Sequence, residues 1–247
     1  MKPQLVLAID TSALEATVAI VRAAPLRADA EVIASSQGSV SNAHGQSLLP
    51  LVDALLEQAG VSLGELWLLA VGVGPGSFTG TRIGVATAKG LAIGSGVPLR
   101  GVDSFCALAG EVNPQSCARV VALIDARKAE LYAASLAIDA DDISLLAPPH
   151  HTPPAAIDVG LLAGAPDVDL DRVAFVGDGV RLLPIPIAGA RPYESSPRAV
   201  TIAALAGARQ LRSPIDEVDV LEPLYVRPPD ITLPKNPQHN PLARPTS

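Results

Sequence analysis

Three short runs carry the residues whose types and spacing could do chemistry: Asp10-Thr11-Ser12, Gly74-Pro75-Gly76-Ser77-Phe78-Thr79-Gly80, and Asp125-Ala126-Arg127. In the second, three glycines in seven residues permit positive φ and close backbone approach. Amides opening a helix behind such a loop can hold an anion. The loop is neither a Walker A, because Thr81-Arg82 stands where Lys-Ser/Thr is needed, nor a GxGxxG fingerprint. Asp10 can hold Mg²⁺ through water or orient a phosphate. It can equally close a hairpin as an Asx turn. Asp125 with Arg127 and Lys128 poses the same choice between a pair fixing the turn and a ligand contact.

Other chemistry finds no support. His44, His150, His151 and His239 match neither HExxH nor H-x3-H. Cys106 and Cys117 form no CxxC and have no base beside them to make a thiolate. No serine stands in GxSxG. We therefore expect no catalytic residue, no metal site and no cofactor. With 18 Lys and Arg against 25 Asp and Glu, the net charge of -7 argues against a broad nucleic-acid face. An aromatic content of 3% argues against a stacking platform for single strands. No apolar run is long enough to span a bilayer, and the start is too short for a secretory signal before its first acid. The expectation is a soluble, cytoplasmic chain without membrane contact.

Elements must position these runs. Apolar stretches predict strands over 5–9 and 17–21, joined as a hairpin around Asp10, and a third over 31–35. Helical spacing predicts a helix over 46–59. A strand over 66–73 then runs into the glycine loop and a helix to about residue 94, an α/β unit. Asp103 or Ser104 can cap a helix to 111. Strands follow over 119–124 and 130–136, with a short helix over 155–163, a strand over 173–176 and a helix over 197–212. A strand ending in Asp and then a returning strand occurs at Asp10 and again at Asp125, which suggests two related halves. We place them at 1–96 and, smaller, at 97–227. Residues 228–247, with six prolines, read as a flexible tail.

The helix behind the glycine loop carries Gly80, Gly84, Ala88 and Ala92 at successive i, i+4 positions. This stripe can pack closely on its own sheet or on a helix of another chain. Apolar residues surround both this helix and the one over 46–59, more than one sheet can cover, so two helices from each of two chains could form a four-helix contact. The interface candidates are Leu48, Leu51, Val52, Leu55, Ala59, Gly80, Ile83, Gly84, Thr87, Ala88 and Leu91. On that reading a large residue at Gly84 or Ala88 blocks pairing and leaves the monomer folded.

The runs Leu7 to Ser12, His44 to Pro50, Gly74 to Gly84, Ile124 to Arg127 with Glu130-Leu131-Tyr132, and Pro223 to Arg227 are together similar to the TsaB (YeaZ) family, over nearly the whole chain apart from the tail. The resemblance implies an α/β fold of two actin-like or Hsp70-like (ribonuclease H-like) halves with mixed sheets, the second reduced. It implies a noncatalytic subunit that pairs with TsaD through the 46–59 and 80–94 helices. With TsaE, that complex adds threonylcarbamoyl to adenosine 37 of tRNAs reading codons that begin with A. TsaD carries the metal and the transfer site, and TsaC supplies threonylcarbamoyl-AMP. The same surface supports a homodimer in isolation, and tRNA is met mainly through the complex. The family-motif loops are Asp10, Thr11, Ser12, His44, Gly74, Pro75, Gly76, Ser77, Phe78, Thr79, Arg82, Asp125, Arg127 and Glu130. Nucleotide binding is expected to be weak or absent. The family turn usually has a small residue and Gly after Asp-Ala-Arg, where this chain has Lys128-Ala129. The alternative is an actin-like ATPase or small-molecule kinase, which requires Asp10 and the Asp125 turn to face one cleft with Mg²⁺ and phosphate.

Overall fold

Leu5–Asp10 (β1) is buried along its whole length, as expected of a central strand covered on both faces. It pairs antiparallel with β2 (Glu15–Arg22), which pairs antiparallel with β3 (Glu31–Ser39). On its other side lie two parallel strands, β4 (Leu68–Gly72) and β5 (Leu99–Val102). Parallel neighbours need crossovers, and α1 (Leu48–Ala59) and α2 (Phe78–Ser95) supply them. The structure is a computed structural model that describes residues 4–39, 48–117, 119–139, 142–157, 172–183, 190–191 and 198–226.

After α3 (Ser104–Ala109) a second sheet repeats the plan. A hairpin of β6 (Arg119–Arg127) and β7 (Glu130–Ile138) is followed by β8 (Ile143–Leu145) and β9 (His150–Thr152), both pairing with β7. β10 (Val173–Val176) and β11 (Ala190–Arg191) run parallel to β6. The sheet orders are β3-β2-β1-β4-β5 and β8-β7-β6-β10-β11. The echo between Asp10 and Asp125 is thus a repeated strand order. The first sheet takes β5 from beyond residue 96, so it does not end at the boundary expected there.

The layers follow from which faces are apolar. Leu48, Val52, Leu55, Val85 and Ala88 of α1 and α2 share one core with Leu7, Ile9, Leu69 and Val71. The opposite face carries α4 (Arg198–Arg212), whose Ala199, Ile202, Ala203, Leu205 and Ala206 join α3 in a core spanning both sheets. A helix apolar on nearly every side belongs between two layers. Its small residues bring them close: a Cβ on Gly207 would lie 2.8 Å from that of Ala23.

The sequence reading differs from the structure in places. α2 starts at Phe78 because the Ser77 side chain caps it, accepting from the Gly80 amide. β5 was not expected. His150 and His151 lie exposed on β9. A 3₁₀ turn, Pro154–Ala156, stands where a helix over 155–163 was expected. Residues 158–163 of that segment, residues 46 and 47 and the 228–247 tail lie outside the described residues.

The β6–β7 turn departs from its usual chemistry. Arg127, Lys128 and Ala129 have φ of 65°, 52° and 58°. A two-residue hairpin loop with positive φ at both positions favours Asn-Gly, whereas Lys and Ala are strained there. Lys128→Asn with Ala129→Gly should stabilise the protein by about 1–2 kcal/mol. Thermal unfolding should show Tm rising by about 2–4 °C per kcal/mol; an unchanged Tm would refute the strain.

Candidate partner surface and the cleft between the sheets

β1 delivers Asp10 to the end of the first sheet, only 1% exposed. Its carboxylate accepts from the Ser12 amide at 3.2 Å and from Ser12 Oγ at 3.1 Å. This is the Asx-type turn, with both oxygens engaged by the chain itself. Thr11 Oγ1 donates to the Gly80 carbonyl at 2.7 Å, and the Ser77 amide donates to the Ser12 carbonyl at 2.7 Å. A Cβ on Gly76 would collide with the Ser12 carbonyl, and one on Gly80 with the Thr11 carbonyl. The glycine loop therefore approaches the 10–12 turn of its own chain closely. Gly74, at φ 86°, turns the loop, and Pro75 is buried. From the far side, Ser104 Oγ lies 3.2 Å and Arg198 Nη1 3.3 Å from Ser12 Oγ. Arg198, the first residue of α4, is 4% exposed.

The two carboxylate turns do face one cleft. It has a volume of about 490 Å³ and is lined by Asp10, Glu15 and Gln37 from the first sheet's side and by Arg127, Asp178 and Arg181 from the second's. Asp125 itself is tied up. It accepts from the Arg127 amide at 2.8 Å and pairs with Arg181 at 3.0 Å and Arg127 at 3.5 Å. Its own amide donates to Asp178 Oδ1 at 2.9 Å. Glu130 opens β7 opposite Arg127. Among the described residues no group of three or more His, Cys, Asp or Glu is placed to hold a metal ion. Burial pushes the Cys106 thiol up to about 12, so it stays protonated and is a poor nucleophile.

The helix surface corrects the sequence reading. Gly80, Gly84, Ala88 and Ala92 line the buried face of α2. A Cβ on Gly84 would collide with Thr11 Oγ1, so the small stripe serves close packing within the chain. Leu48, Val52 and Leu55 are likewise core residues of α1. Leu51, Ala59, Ile83, Thr87 and Leu91 are half-buried. The residues α2 turns outward are Phe78, Thr79, Arg82, Ala86, Gly90, Ile93 and Gly94. Ile93 is 74% exposed, and a Cβ added to Gly90 or Gly94 would meet nothing within 4 Å. With Ile83, positions 79, 83, 86, 90 and 93 repeat at intervals of four and three, the spacing of a helix–helix seam. Leu49 of α1, 48% exposed, adds apolar surface. That spacing is present in the sequence, whereas Gly80 and Gly84 lie on the face packed within the chain. His44 lies outside the described residues.

One flank of α2 is strapped by its own chain. The Glu217 amide donates to the Leu99 carbonyl at 2.8 Å, and the Leu224 amide to that of Val73 at 2.7 Å. Lys89 Nζ donates to the Leu221 carbonyl at 3.2 Å. The strap brings Tyr225 to the N-terminal end of α2, where Arg82 Nε donates to its hydroxyl at 2.7 Å.

Comparison with known proteins places the chain in a family. The family model described as TsaD: tRNA N6-adenosine threonylcarbamoyltransferase matches residues 30–213. The tRNA threonylcarbamoyladenosine biosynthesis protein TsaB of Escherichia coli is 38% identical over 139 residues, which is 56% of this chain and 57% of that protein. The chain thus matches little more than half the length of that relative. An uncharacterized Mycobacterium tuberculosis protein is 32% identical over 228 residues, 91% of this chain and 92% of its own. The solved structure of YeaZ from Pseudomonas aeruginosa superimposes with a TM-score of 0.73 at 29% identity, covering 90% of this chain and 99% of that one. The chain belongs to the TsaB/YeaZ family, within the wider threonylcarbamoyltransferase family whose model it matches.

Proposed function

We propose that this protein is the noncatalytic partner subunit of a TsaD-type transferase, in the complex that adds threonylcarbamoyl to adenosine 37 of tRNAs reading codons that begin with A. The observation that carries this reading is the outward face of α2, whose Ala86, Gly90, Ile93 and Gly94 are open to solvent. An apolar seam with two bare glycines suits the close approach of another helix. TsaD is the partner on this face, a second copy of the chain takes its place in isolation, and TsaE joins the assembled pair. Contact with tRNA comes mainly through the complex. The second half is the reduced one, and the chain works in the cytoplasm. The Asp10 turn supports the noncatalytic role, since its carboxylate is occupied by Ser12.

A second reading has one observation in its favour: the cleft of about 490 Å³ is lined by Asp10, Glu15 and Asp178, as an actin-like ATPase or small-molecule kinase would require. Reconstitution separates the two. On the first reading, threonylcarbamoyl transfer to tRNA by the TsaD-type enzyme depends on adding this protein, which alone neither hydrolyses Mg-ATP nor binds it tightly by calorimetry. Turnover of Mg-ATP by the pure protein, with transfer independent of it, would favour the second.

A further inference from the structure

α1 and α2 carry few charges, and their placement is uneven. Those of α1 are Asp53 and Glu57; those of α2 are Arg82 and Lys89. Lys89 is engaged with the Leu221 carbonyl. Arg82 is held differently. Its guanidinium carbon lies 3.7 Å from the centre of the Phe78 ring, and its Nε donates to the Tyr225 hydroxyl at 2.7 Å. The two rings lie 5.6 Å apart and are 47% and 44% exposed. An arginine on the surface ordinarily samples many rotamers, and binding must restrict them. Here stacking and the Nε bond fix the plane of the fork. Among the described residues its two Nη groups have no partner, so the edge suited to bidentate recognition is open.

We propose that Arg82 is the specificity anchor of the α2 face, taking a carboxylate side chain from an apolar helix of the partner protein. The proposal rests on the partner-subunit reading above and deepens it. A planar guanidinium stacked on an aromatic ring prefers a bidentate anion, either carboxylate or phosphate. The surroundings select carboxylate. Thr79, Ile83, Ala86 and Ile93 continue the face as an apolar seam rather than as a row of bases, and a nucleic-acid backbone needs clustered cations. Arginine and aromatic side chains are also enriched among interface hot spots. Phe78 and Tyr225 act as positioning residues: they orient the fork and do not themselves select the anion.

Calorimetry with the purified TsaD-type partner tests this, using wild type, Arg82→Ala, Arg82→Lys, Tyr225→Phe and Ile93→Asp at low and high salt. Arg82 is exposed, so its variants should keep the wild-type circular dichroism and Tm. Arg82→Ala should weaken association by about 10- to 100-fold and flatten its salt dependence. Arg82→Lys should recover only a small part, because an ammonium cannot form the fork. Tyr225→Phe should lose affinity without losing the salt dependence. If Ile93→Asp abolishes binding while Arg82→Ala binds within about twofold of wild type, the anchor is refuted and the surface stands. If neither changes binding, the partner-subunit reading fails with it. Should Arg82→Ala reduce tRNA retention by the complex but leave partner affinity intact, the anion is phosphate and the proposal is overturned.

Discussion

Gly84→Leu should destabilise the fold itself rather than selectively block an assembly. Gly84 sits on the buried face of α2, where even a Cβ would collide with Thr11 Oγ1. That hydroxyl donates to the Gly80 carbonyl at 2.7 Å and fixes the turn after β1. A leucine would push α2 off the sheet and break this bond. Overpacking costs about 1–3 kcal/mol, and more where backbone must move; the lost hydrogen bond adds about 1 kcal/mol. Together these should lower Tm by roughly 10 °C. Thermal denaturation followed by circular dichroism is the check. A variant that keeps the wild-type Tm yet fails to associate would mean that the stripe faces outward after all.

Ile93→Asp should do the reverse, leaving the fold intact and abolishing association. Ile93 is 74% exposed, so the folded monomer loses almost no packing, and such surface changes shift stability by about 0.5 kcal/mol or less. In a docked seam the new carboxylate would be desolvated among apolar side chains without a counter-charge, which is strongly unfavourable. We expect affinity for the TsaD-type partner to fall by about 100-fold or more, measured by calorimetry or sedimentation. Leu14→Asp is the control. Leu14 is 77% exposed but lines the cleft, so partner affinity should not change.

The opposite outcomes expected at Gly84 and Ile93 show how far the sequence could be read. The hairpins around Asp10 and Asp125 were legible because each is an apolar run, a turn and a returning apolar run, and they predicted the repeat that the two sheets display. The α1 and α2 helices were legible from their period. What period alone cannot give is the side of a helix that faces the sheet when both sides are small or apolar. Gly80 and Gly84 lie inward because the 10–12 turn presses on them, a contact made by residues about seventy positions away. β5 was missed because Leu99–Val102 is only four residues long and begins directly after a proline. Arg198, which reaches Ser12 from 186 positions away, gave no local signal at all. Tyr225 belongs to a family run, but its stacking with Phe78 and Arg82 depends on a strap that only three-dimensional structure reveals.

Hydrogen–deuterium exchange on the full-length protein, with and without the TsaD-type partner, tests the partner surface most directly. Binding should slow exchange of amides in α2 from Ile83 to Gly94 and in the outer turns of α1, leaving the cleft turns around Ala13 and Arg127 unchanged. Slowed exchange confined to those cleft turns, with α2 exchanging as in the free protein, would place the partner elsewhere and contradict the role assigned to this face.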